Sequence, residues 1–126
     1  MTNNEKKKLI DYLLDRGYTM LECLRDVKLY SFKERIGQSH KGHDIYMDER
    51  ITFYTVDSGH YQCVMQIKIY ELDYSTLYNL IDIQKKIESV ESFIEFKKGI
   101  PLLSKFCNDH LFKSCEDGKE IRTELL

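Results

Sequence analysis

Three features of the sequence predict an α+β fold: an amphipathic helical stripe at the amino end, a β-rich centre, and a longer helical stripe behind it. The expected order is an N-terminal helical cluster, a central antiparallel β-hairpin or small sheet, and a long helix with a second C-terminal helix packed on it. A chain of 126 residues suits one domain, 1–126, with 1–3 and 116–126 expected as flexible ends.

The first helix covers residues 4–16, where Leu9, Ile10, Leu13 and Leu14 form one stripe and Gly17 supplies the stop. Thr19 and Glu22 then make a capping-box pattern, and Met20, Cys23, Leu24 and Val27 follow at helical spacing, which predicts a second helix. Ser31 and Glu34 repeat the pattern around Phe32 and Ile36, predicting a short third helix, with a strand as the alternative for residues 27–34.

Residues 50–57 and 61–71 are rich in Ile, Val, Tyr, Phe and Thr and flank Ser58, Gly59 and His60, so they predict a hairpin. A three-residue loop opposes Asp57 with Tyr61. It places Ile51, Phe53, Thr55, Cys63, Met65 and Ile67 on one face and Thr52, Val56, Gln62 and Gln66 on the other. Asp73 and Ser75 can cap a helix over 74–98, in which Leu80, Ile83, Ile87, Val90 and Ile94 recur at 3-4-3-4 spacing. That stripe is expected to pack on the chain's own sheet, with a homodimer through 74–98 as the alternative. Gly99 ends it, and Pro101 opens a last helix carrying Leu102, Leu103, Phe106, Cys107 and Leu111.

Composition narrows the function classes. Apolar residues at 42% and charged residues at 32% describe a folded globule, and no apolar run reaches the roughly 18 residues of a membrane span, so no membrane partner is expected. Cys23, Cys63, Cys107 and Cys115, without a secretory signal, read as reduced thiols in a cytoplasmic protein. Net charge is −2, but residues 1–42 carry nine basic against six acidic residues, and 43–126 carry ten against fifteen. The absence of alanine and tryptophan, with Lys far above Arg, suggests an AT-rich genome and, by association, a phage or other mobile element.

Four constellations are candidates for chemistry. Helices followed by a hairpin and a long helix give the element order of a winged-helix DNA-binding regulator. Its reading helix over 31–41 would carry Lys33, Arg35, Gln38, His40 and Lys41, set against a plain solvated face. His40 with His43, His60 with Cys63, and Cys107 with His110 are each three positions apart. The first two pairs have zinc-ribbon separation, set against loop histidines and a core thiol. Asp57 with Gln66 and Lys68 has the residue types of a metal-dependent nuclease, but along a strand Gln66 lies about 17 Å beyond Tyr61. Tyr54, Tyr61, Tyr70, Tyr74 and Tyr78, on or after the hairpin, have the chemistry of a protein-binding surface, set against tyrosines that only pack a sheet.

No phosphate loop, dinucleotide fingerprint or nucleophile elbow is present. The expectation is a non-enzymatic binding protein without a cofactor. It would regulate or inhibit a protein or nucleoprotein target by occupying its surface, on behalf of a phage or mobile element against a host machine.

Overall fold

Alternation with a period of two, not helical periodicity, organises residues 28–87. A computed structural model describes residues 1–22, 27–39, 41–100 and 121–124. Its elements are α1 (Asn3–Asp15), β1 (Thr19–Glu22), β2 (Lys28–Gln38), β3 (Asp44–Asp57), β4 (His60–Asp73), β5 (Thr76–Ile87), α2 (Val90–Lys97) and β6 (Ile121–Glu124). The six strands lie side by side in chain order; β1 to β5 are antiparallel, and β6 runs parallel to β5.

The first helix is where the sequence places it. The Thr2 hydroxyl accepts the Glu5 N–H at 3.3 Å, Leu9 and Leu13 are fully buried, and Gly17 at φ +90° ends the element. The Met1 carbonyl accepts the N–H of Tyr61, so the first residues lie against β4.

The helical cluster and the long helix are overturned. Thr19–Glu22, expected to open a second helix, is β1, and residues 31–36, expected as a third, lie inside β2. Capping boxes are local signals. Tyr30 and Phe32 instead face the core from alternate positions, while Lys33 and Arg35 point outward, and strand pairing decides. The strand alternative for residues 27–34 is the one observed from Lys28 onward.

Residues expected to form one helix over 74–98 divide into β5 and the eight-residue α2. A spacing of four, as between Ile83 and Ile87, returns to the same face of a strand as well as of a helix. The bulge between β4 and β5 brings Leu80 inward beside Ile81, so a strand with one irregularity imitates a helical stripe. Leu80, Ile83 and Ile87 are buried within the chain's own sheet, on a strand and not on a helical stripe. Ile94 is exposed on α2. The last expected helix, from Pro101, lies outside the described residues. Of the expected flexible end, Ile121–Glu124 forms β6.

The hairpin is present with a different turn. Asp57 pairs with His60 across a two-residue loop, and a bulge at Val56 restores Thr55 opposite Tyr61, Phe53 opposite Cys63 and Ile51 opposite Met65. The slip is two residues, so the faces survive: Ile51, Phe53, Cys63, Met65 and Ile67 are buried together. With Ile45, Met47, Ile69, Ile81 and Ile87 they form the sheet side of the core, closed by Leu9 and Leu13 of α1 and Phe93 of α2. Across the opposite face Lys33, Asp48, Lys68 and Asp82 stand in one row of alternating sign.

Candidate functional site

The turn between β4 and β5 concentrates the most unusual local features of the fold. Asp73 pairs with Thr76, leaving Tyr74 and Ser75 as the turn residues. Tyr74 is the only non-glycine with positive φ among the described residues, at +54°, and it is 97% exposed. A bulky side chain held there costs about 1–3 kcal/mol that glycine would avoid. Beside it Leu77 and Tyr78 are 49% and 42% exposed.

This tip is braced from beneath. Glu71, at a core-facing position of β4, is 3% exposed and must be satisfied internally. The Ser39 hydroxyl donates to its Oε1 at 3.1 Å, and His43 Nδ1 lies 2.6 Å from the same oxygen. His43 Nε2 in turn lies 3.4 Å from Asp73 Oδ1. The β2–β3 connection is itself folded tightly: the Ser39 N–H donates to the His43 carbonyl at 2.9 Å, and Gly42 sits at φ +81°. The last turn of one hairpin is thus fastened to the tip of the next.

Serine, histidine and acid in contact invite a comparison with nucleophilic catalysis, and the geometry answers it. Ser39 gives its hydroxyl proton to Glu71, and both imidazole nitrogens face carboxylates, so no ring nitrogen is placed to take a proton from Ser39. The cluster holds backbone in place.

A second buried acid has a parallel role. Glu49, 1% exposed on the core face of β3, accepts the Tyr18 hydroxyl at 3.0 Å and the Lys97 ammonium at 2.5 Å, joining the segment after α1, the sheet and α2. Burial, and next to it the Glu49 charge, push the Tyr18 pKa far above its ordinary value, so the phenol stays a donor.

Compared with known proteins, the chain matches no family model, no curated protein and no solved structure.

The five tyrosines expected as one surface are divided between the two ends of the sheet. Tyr54 and Tyr61 lie near the β3–β4 turn, and Tyr78 and Tyr74 lie roughly 30 and 40 Å along β4 from them. Tyr70 is 5% exposed and stacks on Tyr46 at 5.8 Å, with the Lys33 ammonium 4.6 Å from the Tyr46 ring centroid. Among the DNA-reading candidates, Lys33, Arg35 and Gln38 lie on β2, and no reading helix exists there. Arg35 and Gln38 both donate to Asp44 Oδ1, at 2.8 and 3.4 Å. Lys41 is exposed in the β2–β3 turn, and His40 lies outside the described residues.

The zinc constellation is separated by the fold. His43 and His60 flank opposite ends of the 14-residue β3, roughly 40 Å apart, far beyond any shared coordination sphere. His60 bonds Asp57 at 2.8 Å, and Cys63 is buried, its thiol pushed up to about 12 by desolvation. Cys107 and His110 lie outside the described residues. For the nuclease pattern, Asp57 is at the hairpin end roughly 20 Å from Gln66, whose amide instead donates to Asp82 at 2.9 Å.

Sequence reasoning missed Glu49, Glu71, Ser39 and the position of Tyr74. Charges at Asp48, Glu49 and Arg50 inside an otherwise β-rich run were the available signal for a buried polar cluster.

Proposed function

We propose that the chain is a binding module that docks on a protein partner through the β4–β5 tip and regulates that partner by occupying its surface. The carrying observation is Tyr74, 97% exposed and held at φ +54°. A fold that needed only a turn there is served better by glycine, so a tyrosine at this position is explained by what it touches outside the chain. Leu77 and Tyr78 extend an aromatic and aliphatic patch of the composition that dominates interface energetics. The Glu71, His43 and Asp73 contacts support the same reading, because a tip ordered before binding loses less entropy on docking.

The test compares capture of partners from source-cell extract by the parent chain and by Tyr74→Gly and Leu77→Ser, quantified by mass spectrometry. A protein retained by the parent and lost in both variants, while Val56→Ser at the opposite end retains it, supports the assignment. Equal capture by all four chains refutes it.

A further inference from the structure

At the other end of the sheet, between α1 and the adjoining ends of β2 and β3, lies an open cavity of about 500 Å³, within the size range of small-molecule sites. Its lining combines two core-face rings, Tyr30 and Phe53, with two cations, Lys6 and Lys28; among the described residues no carboxylate lines it. The rings are fixed: Tyr30 and Phe53 meet edge to face at 5.9 Å. Lys6 is held at the wall, its ammonium 4.0 Å from the Tyr61 ring centroid and 5.8 Å from that of Phe53. Tyr30 is only 4% exposed, yet among the described residues its hydroxyl makes no hydrogen bond, unlike that of Tyr18. No buried polar side-chain atom among the described residues is left without a partner, so this hydroxyl is open to the cavity, where a ligand can meet it.

We propose that this cavity is a binding site for a small aromatic anion. The planar ring packs against Tyr30 and Phe53, and its carboxylate or phosphate oxygens are taken by Lys6 and Lys28. The Tyr30 hydroxyl supplies a hydrogen bond that fixes the ligand's orientation. Burial raises the pKa of that hydroxyl, so it remains a neutral donor at ordinary pH. The site is independent of the β4–β5 tip, and either assignment stands without the other.

Calorimetric titration of the full chain with 2-naphthoate and with 1-naphthyl phosphate tests the proposal, with 2-naphthylmethylammonium and inorganic phosphate as controls. At least one naphthyl anion binds with a dissociation constant of about 1 mM or tighter, and the stronger of the two identifies the anionic group preferred. Both controls bind at least about tenfold more weakly, because one carries the opposite charge and the other lacks the ring. Lys28→Gln lowers affinity about tenfold and Tyr30→Phe about threefold or more, with both variants melting as the parent does. Absence of binding by both anions at 10 mM overturns the proposal. So does equal binding of the ammonium control, or parental affinity in either folded variant.

Discussion

The Nε2 atom of His43 lies 3.4 Å from Oδ1 of Asp73, the residue immediately before Tyr74. Through this contact the β2–β3 connection fixes the turn that presents the most exposed large aromatic of the described chain. Stability and presentation are therefore separable at the tip, and substitutions distinguish them.

Tyr74→Gly relieves the left-handed backbone without removing any core contact. The variant should gain about 1 kcal/mol in denaturant unfolding while losing partner capture. A loss of stability of similar size would show that Tyr74 supports the fold instead.

His43→Ala leaves Glu71 buried with Ser39 as its remaining side-chain donor. The expected cost is about 1–3 kcal/mol, since an under-satisfied buried carboxylate bears most of its desolvation penalty. Hydrogen exchange should quicken at the Asp73, Tyr74 and Ser75 amides, and unchanged exchange there would detach the brace from the tip.

Tyr18 gives a pH signature. Burial and the Glu49 charge raise its pKa from 10.0 in the folded chain, so between the unfolded and folded values the native state keeps a proton that the unfolded chain has released. The contribution is fully present below about pH 10 and is lost as pH rises beyond it, by about 1.4 kcal/mol per pH unit for one proton. Tyr18→Phe should be about 1.5–3 kcal/mol less stable at neutral pH and should show an alkaline slope shallower by one proton. An identical slope in parent and variant would remove Tyr18 from this account.

Ile87→Ala tests the reassigned strand. Ile87 is 2% exposed on β5, opposite Cys63 of β4, and its truncation should cost about 2–5 kcal/mol. Because the residue packs within one chain, the loss should not vary over a hundredfold range of protein concentration.

The same residue shows what was legible in the sequence. Local features with a single solution were readable: α1 with its Gly17 stop, and the faces of the β3–β4 hairpin, which survive a two-residue error in register because side chains alternate with period two. The β5 stripe had two solutions. Ile83 and Ile87 fit a helix or a strand, and a bulge at Leu80, invisible without the neighbouring strand, completes the imitation. Ile81 and Ile83 flanking Asp82 were the signal for alternation. The capping boxes at Thr19 and Ser31 were overridden for a similar reason, since their helices would leave the β3 edge unpaired. At the candidate site, tyrosine chemistry was readable but position was not. Tyr74 and Tyr78 share one end only because β4 turns at Ser75. Glu71 reads as an ordinary surface charge until Ser39 and His43, far away in the chain, fold over it.

Site-specific photocross-linking tests the central claim most directly. A benzophenone side chain is introduced at position 74 in one chain and at position 54, at the far end of the sheet, in another, and both are irradiated in source-cell extract. The docking account predicts one discrete cross-linked protein from position 74, competed away by excess unlabelled parent and not by excess Tyr74→Gly, with no such product from position 54. The same product from both positions, or competition by Tyr74→Gly as effective as by the parent, would contradict it.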